Sequence, residues 1–153
     1  KFNVSGTYTP LPLLCGEDLD IFWYAPGGTA DFIWSGIDVS GPAMTYTSRP
    51  TTVNGTFTPL VGDYDGDACD DIFWYAPGTG ADYIWYNDGG STFTSRQVAV
   101  NGTYRPVVNY FNEDATADVY WYAPGTAAEA MWVGLTNRTM SSSRAPQVKG
   151  TYL

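Results

Sequence analysis

A short acidic segment carries the residues with the clearest chemistry in this sequence. It reads GDYDGDACDD from Gly62 to Asp71, and five of the nine residues from Asp63 onward are aspartates. Two like charges about 4 Å apart repel each other by about 1 to 4 kcal/mol, so the segment needs a counter-charge. Alternating aspartates, with a glycine such as Gly66 at the bend, are typical of a calcium-binding loop that supplies oxygen ligands from alternate positions.

The predicted ligands follow from this spacing. In such a loop the seventh position contributes its backbone carbonyl and not its side chain. The sequence therefore predicts a Ca²⁺ site with the following ligands: the carboxylates of Asp63, Asp65, Asp67 and Asp71, and the backbone carbonyl of Cys69. The loop lacks the glutamate at position twelve and the flanking helices of an EF-hand. A solvated acidic turn that binds no metal is the alternative.

The elements that must position this loop repeat along the chain. A motif V-x-G-T followed by an aromatic residue begins at Val4, Val53, Val100 and Val148. A second motif, IFWYAPG or VYWYAPG, begins at Ile21, Ile72 and Val119. We predict one repeat domain over residues 1–153, with blades at approximately 4–52, 53–99 and 100–147, and with 148–153 as the start of a fourth repeat or a closing strand.

Each repeat has the pattern of four β-strands. In the middle repeat these are FTPLVGD, DIFWYAP, DYIWYN and TFTSRQVAV. Ile72 and Trp74 lie on one face of the second strand, Phe73 and Tyr75 on the other, so both faces are predicted to be covered. Four strands in 40–50 residues is the period of a propeller blade. We predict an all-β fold, a β-propeller of four-stranded blades with three blades in this chain.

The tryptophans occupy repeated positions in the predicted strands. Each repeat has one on its second strand (Trp23, Trp74 and Trp121) and one on its third strand (Trp34, Trp85 and Trp132). Residues that recur in this way in every repeat are typical of a shared packing role. We expect them to pack blade against blade.

The acidic segment also resembles a known family. GDYDGDACDDIFWY is similar to the FG-GAP/VCBS repeat of extracellular β-propellers, whose pattern is roughly D-x-[DN]-G-D-x-x-x-D-[IV]. In repeat three the aligned residues lack the first ligand: Tyr110, Asn112, Asp114 and Asp118. In repeat one the acidic residues are out of ligand register: Glu17, Asp18 and Asp20. The resemblance implies calcium at repeat two alone, in a secreted, extracellular binding or scaffold module.

The two cysteines occupy equivalent places in adjacent repeats. Cys15 and Cys69 both lie in the loop before the second strand. Since equivalent loops of neighbouring blades lie side by side, a disulfide between them is plausible, and two buried thiols are the alternative. Their spacing and the absence of histidine exclude a zinc site of the CxxC type.

Composition excludes several classes of function. Seven Lys and Arg residues stand against sixteen Asp and Glu residues, a formal net charge of −9, which argues against a nucleic-acid partner. No run of 18 apolar residues is present, so no membrane insertion is predicted. The chain has no histidine, the commonest general base, and we predict no enzyme. The sequence does not exclude a catalytic pair of carboxylates of the glycosidase type.

Charged residues also recur between the repeats. The pairs are Ser48-Arg49, Ser95-Arg96 and Ser143-Arg144. The acidic positions are Asp31, Asp82 and Glu129. Equivalent positions in every repeat suggest ion pairs between strands or blades.

Two functions fit these features. The first is a non-catalytic, calcium-stabilised propeller for protein interaction or scaffolding. The alternative is a lectin-like module that binds carbohydrate at weak sites repeated per blade, because exposed aromatic rings stack on sugars. Tyr24, Tyr75 and Tyr122 are candidate stacking residues, although core packing is the favoured role for each.

Three blades are too few to close a propeller. An open stack would expose apolar blade faces and unpaired edges. Because the chain begins and ends at the same junction of the repeat, two copies can join head to tail. We predict a homodimer that closes a six-bladed ring. The alternative is that the chain is part of a longer propeller.

Overall fold

The computed structural model describes residues 4–27, 30–89, 92–125, 128–144, 148, 150 and 152. All regular secondary structure in these residues is β-strand, which confirms the all-β prediction. In the same residues there is no helix with the length and hydrophobicity that crossing a bilayer requires. The predicted start of a fourth repeat at 148–153 falls partly outside the described residues.

The chain divides into two compact units, and the first, Lys1–Phe57, contains one sheet. Its strands are β1 (Thr9–Cys15), β2 (Asp18–Tyr24), β3 (Asp31–Asp38) and β4 (Thr45–Thr51). They pair antiparallel in chain order. Leu13, Phe22 and Ile33 are buried apolar residues of these strands.

The second unit, Thr58–Leu153, contains two sheets of the same construction. The strands of one are β5 (Thr58–Gly62), β6 (Asp71–Tyr75), β7 (Asp82–Asn87) and β8 (Phe93–Val98). The strands of the other are β9 (Arg105–Asn109), β10 (Asp118–Tyr122), β11 (Ala130–Leu135) and β12 (Thr139–Arg144). Four antiparallel strands per repeat agree with the sequence prediction. In the described part of the chain, no strand of one sheet pairs with a strand of another sheet.

Strand β6 is the most enclosed strand of the second unit. All five of its residues are buried, so both faces of the strand are covered, as the double apolar pattern predicts. Ile72 pairs with Val61 of β5 and with Trp85 of β7, which places it mid-sheet.

The core of the second unit lies between its two sheets. The ring of Trp121 lies 5.5 Å from that of Phe73 and 5.0 Å from that of Tyr75. Trp132 contacts Phe73 as well, with ring centroids 6.1 Å apart. Trp121 and Trp132 therefore pack sheet against sheet, as expected from the repetition of the tryptophans.

Within each sheet the two repeated tryptophans also contact each other across neighbouring strands. The centroid distances are 4.9 Å for Trp23–Trp34, 5.5 Å for Trp74–Trp85 and 5.6 Å for Trp121–Trp132. All three pairs have edge-to-face geometry, which adds about 0.5–1.5 kcal/mol beyond the burial of apolar area.

Among the described residues, two of the repeated carboxylates, Asp31 and Asp82, do not form the ion pairs that the sequence suggested. The buried Asp82 accepts hydrogen bonds from the N–H groups of Ala76 and Val100, each at 2.7 Å. Asp31 accepts equivalent bonds from two backbone N–H groups, both at 2.6 Å. Each of these buried carboxylates is satisfied by two backbone N–H donors, so it needs no arginine as a partner.

The recurring arginines do not occupy equivalent strand positions in all three repeats. Arg49 pairs with Ile33, and Arg96 pairs with the equivalent Ile84. In repeat three the corresponding partner, Met131, pairs with Ser143 and not with Arg144. The Ser-Ser-Arg segment of repeat three is therefore shifted by one residue relative to the Thr-Ser-Arg segments of the other two repeats.

A recurring contact, which we call the clasp, joins the second strand of one repeat to the turn that begins the next. The hydroxyl of Tyr75 donates to the carbonyl of Gly102 at 2.9 Å and accepts from the N–H of Tyr104 at 2.8 Å. Backbone hydrogen bonds between Gly78 and Gly102 lie beside it. Tyr24 and Tyr122 make the equivalent pair of bonds in the other repeats.

Candidate metal centre

The acidic loop connects β5 to β6 and is folded around the side chain of Asp63. One carboxylate oxygen accepts hydrogen bonds from the N–H groups of Gly66 and Asp67, at 2.6 and 3.2 Å. The other accepts from the N–H of Ala68 at 2.9 Å. Gly66 and Ala68 have positive φ angles of 77° and 68°. The predicted bend at Gly66 is present, and the loop makes a second left-handed step at an alanine.

Asp71, at the start of β6, ties the loop to the sheet. Its two oxygens accept hydrogen bonds from the N–H groups of Tyr64 and Asn87, each at 2.8 Å. The residue is fully buried. Burial, the largest cause, and the negative charges of Asp65 and Asp63 together raise its pKa from 3.8 to about 8, against the lowering by the two N–H donors. Without a counter-charge, this carboxylate is therefore costly in its ionised form.

Three of the predicted ligands converge on one point. Asp63, Asp65 and Asp71 are buried, and each offers a carboxylate oxygen within 4.8 Å of the others. Two oxygens bound to one calcium ion lie at most about 5 Å apart, so this spacing suits a shared cation. Each carboxylate has about four lone-pair sites, which leaves room for a cation beside the N–H donors. The cluster can hold a metal ion.

The other two predicted ligands lie at the margin of this cluster. The side chain of Asp67 is 37% exposed, and one of its oxygens accepts a hydrogen bond from the N–H of Cys69 at 2.9 Å. Burial raises the pKa of Asp67. Cys15 and Cys69 are both disulfide-bonded, so the alternative of two thiols is wrong. Ligation by Asp67 and by the Cys69 carbonyl stays a prediction.

Arg138 supplies a counter-charge that the sequence did not reveal. It lies in the turn between β11 and β12, and its Nε donates to Asp65 at 2.7 Å. Its Nη1 donates to Asp88 at 2.6 Å, and its Nη2 lies 3.9 Å from Asp67. The guanidinium thus binds one cluster residue and leaves the mutual repulsion of the others uncompensated.

The hydroxyl of a tyrosine, Tyr86, is influenced by the negative charges of the aspartate cluster. The hydroxyl of Tyr86 is buried and has no hydrogen-bond partner among the described groups. The guanidinium of Arg138 lies 5.3 Å from the centre of its ring. Burial raises the pKa of Tyr86 to about 12, and the charges of Asp71 and Asp65 act in the same direction. A buried hydroxyl without a partner beside carboxylates is a second feature that suits a ligand there.

The corresponding loops of the other repeats do not form such a cluster in the described residues. In repeat three, Asp114 is exposed and accepts hydrogen bonds from the backbone and the hydroxyl of Thr116. In repeat one, β1 and β2 form a tight hairpin in which Cys15 pairs directly with Asp18. The one cluster of this kind in the described residues lies in repeat two, and a single metal site stays a prediction.

Two of the candidate sugar-stacking tyrosines are buried. Tyr24 is 1% exposed and Tyr75 is 0% exposed, and both hydroxyls are engaged in clasps. Tyr122 is partly exposed but makes the same clasp. The structure therefore favours the packing role for Tyr24 and Tyr75.

Comparison with known proteins adds no assignment to these features. No family model, no curated protein and no solved structure gives a significant match to the chain. The similarity to the FG-GAP/VCBS repeat therefore stays an interpretation of the sequence motif.

Proposed function

We propose that this chain is a non-catalytic, calcium-stabilised β-propeller module for protein interaction or scaffolding outside the cell. The observation that carries the proposal is the buried cluster of Asp63, Asp65 and Asp71, with ligand oxygens within 4.8 Å of one another. All three donors are hard carboxylate oxygens, the ligands that Ca²⁺ prefers over softer transition metals. A bound dication would offset the charge that Arg138 leaves uncompensated.

The sheets support the propeller part of the proposal. Each repeat forms one antiparallel sheet with its strands in chain order, as in a propeller blade. Within the second unit, the two sheets pack face to face through Phe73, Tyr75 and Trp121. We take each sheet as one blade.

The disulfide state of Cys15 and Cys69 supports a location outside the cell, because disulfides persist in oxidising compartments. The buried carboxylates support a non-catalytic role, since Asp31 and Asp82 use both oxygens on backbone N–H groups. The scaffold is better supported than the lectin, because two of the three candidate stacking tyrosines are buried.

Thermal melts with calcium and with EDTA test this proposal. At a calcium concentration of about 100 Kd, binding to the folded state adds about 2.7 kcal/mol, roughly 5–10 °C in Tm for a chain of this size. Asp65→Ala should abolish the calcium-dependent shift, whereas Asp114→Ala, at the repeat-three loop, should keep it. Because Asp65→Ala also removes the partner of Arg138, the shift within each variant is compared and not the absolute Tm. Identical melts of the unmodified chain in calcium and EDTA would refute the calcium site of the proposal.

A further inference from the structure

The packed interface inside the second unit defines two complementary surfaces. One, which we call the indole face, is formed in repeat three by Tyr104, Trp121 and Trp132. The other, which we call the phenyl face, is formed in repeat two by Phe73 and Tyr75. Trp121 contacts both members of the phenyl face, with ring centroids 5.5 and 5.0 Å apart, and all three residues are 0% exposed. Leu60, Val100 and Met140 complete the apolar contact.

Repeat one carries its own indole face, and that face is open. Tyr8, Trp23 and Trp34 occupy the positions of Tyr104, Trp121 and Trp132 in the repeat. Trp23 is partly exposed, in contrast to its fully buried counterpart Trp121. Tyr8 and Trp34 are partly exposed, as their counterparts Tyr104 and Trp132 are. They line a pocket of about 210 Å³.

The rings of this open face are held in place by one another. Trp34 stacks on Tyr46 with centroids 4.0 Å apart, and Trp23 meets Trp34 edge to face at 4.9 Å. Tyr46 takes the place of Met140, because each lies two residues before the serine that pairs with the third-strand tryptophan. The face is therefore a preformed aromatic surface.

Repeat three carries an open phenyl face. Tyr120 and Tyr122 occupy the positions of Phe73 and Tyr75 and are partly exposed. Val107 takes the place of Leu60 and is 50% exposed. Val148 takes the place of Val100 and is 41% exposed, whereas Val100 is 4% exposed. These residues line a pocket of about 400 Å³.

We propose that the indole face of repeat one in one copy binds the phenyl face of repeat three in a second copy. Two such contacts related by a two-fold axis give a closed homodimer. The pairing rests on the proposed propeller, because it reproduces between copies the sheet packing that the second unit shows internally. A second copy fits better than a soluble ligand because it presents the rings whose counterparts already pack in this arrangement.

Light scattering behind a sizing column at about 10 µM tests the pairing. The expected mass is twice the 16.7 kDa of the chain. Ser48→Arg places a charge in the indole pocket, and Val107→Asp places one on the phenyl face. Both positions are exposed within one copy, so neither substitution disturbs its core. Each variant alone should be monomeric, and Val39→Asp, at a residue that is 73% exposed and outside both faces, should stay dimeric.

Mixing the two variants decides which faces meet. A heterodimer of the Ser48→Arg and Val107→Asp chains keeps one unmodified contact and pairs opposite charges at the other. The mixture should therefore recover the dimer. A monomeric unmodified chain, including one that binds a soluble sugar at the indole face, overturns the proposal. So does a Val107→Asp chain that stays dimeric, since the indole faces would then pair with each other.

This test is separable from the test of calcium binding. Neither face contains a residue of the acidic loop. A chain that dimerises but melts identically in calcium and EDTA would refute only the metal site. A chain that responds to calcium but stays monomeric would refute only the pairing.

Discussion

At the scale of single residues, Asp63 shows how the acidic loop is built before any cation is involved. Its carboxylate accepts three backbone N–H groups of its own loop, so the aspartates are held near one another by local hydrogen bonds. The repulsion that results is only partly relieved, since Arg138 binds Asp65 but not Asp63 or Asp71. A loop arranged in this way loses little conformational freedom when it binds a cation.

Replacing Arg138 by alanine should have two opposite effects. In EDTA the variant should be less stable by about 1 kcal/mol, because its partly exposed ion pairs with Asp65 and Asp88 are lost. In calcium its stabilisation should exceed that of the unmodified chain, since a positive charge leaves the site and Asp65 regains an oxygen. Melts of both chains with calcium and with EDTA measure this.

The control for this experiment is Arg49→Ala, an exposed arginine of the first unit. It should leave the calcium-induced shift in Tm unchanged. If Arg138→Ala and Arg49→Ala show the same shift as the unmodified chain, Arg138 has no influence on the cluster.

The sequence predicted the aspartates of this site but not its arginine. Alternating aspartates and Gly66 form a local pattern, and local patterns are visible in a sequence. Arg138 lies 73 residues from Asp65, and only packing between two repeats brings them together. The positive φ of Ala68 was not predictable from the sequence either, because alanine is not a residue type that indicates a left-handed turn.

At the scale of elements, the clasp attaches the turn that begins each repeat to the second strand of the preceding repeat. The hydroxyl of Tyr75 both donates to Gly102 and accepts from Tyr104. Asp82 binds Val100 of the same segment. The turn is therefore held by side chains that lie on the strands of the preceding repeat.

Tyr75→Phe should reduce the free energy of unfolding by about 1–3 kcal/mol. The substitution keeps the ring in the core but leaves the carbonyl of Gly102 and the N–H of Tyr104 without the hydroxyl. Urea denaturation measures the change. Tyr104→Phe is the matched control, because its hydroxyl makes only a long, exposed bond of 3.4 Å, so its loss should be well under 1 kcal/mol. Equal losses in the two variants would contradict a stabilising role for the clasp.

The strands were largely predictable, and their polar connections were not. The pattern of the middle repeat predicted DYIWYN, and β7 covers these same residues, Asp82–Asn87. Alternation and turn residues determine strands locally, whereas the partner of a buried carboxylate depends on which groups the fold leaves unpaired. The suggestion of ion pairs at Asp31 and Asp82 failed for this reason, because backbone N–H groups already satisfy them.

At the scale of the whole molecule, a formal charge of −9 is combined with several buried carboxylates. Burial raises the pKa of Asp82 as it does that of Asp71. When the pKa of a carboxyl is higher in the folded than in the unfolded chain, the folded state binds its proton more tightly. Stability is then lost as the pH rises between the two pKa values.

Without a bound cation, the free energy of unfolding should therefore fall as the pH rises from about 4 to about 8, the interval over which Asp71 would ionise. Calcium should oppose this loss because it favours the ionised carboxylate. Urea denaturation at pH 5 and pH 8, with EDTA and with calcium, measures both effects. Asp71→Asn should flatten the profile in EDTA. A metal-free chain that is as stable at pH 8 as at pH 5 would contradict the burial cost assigned to Asp71.

The clasp also bears on how this protein can be divided and recombined. A fragment cut at the sequence repeat, residues 53–99, would contain Tyr75 and Asp82 but would lack three of the residues whose backbone groups they bind: Val100, Gly102 and Tyr104. A fragment of residues 58–104 would retain Val100, Gly102 and Tyr104. The unit for duplication, transplantation or segmental labelling is therefore offset by about five residues from the repeat in the sequence.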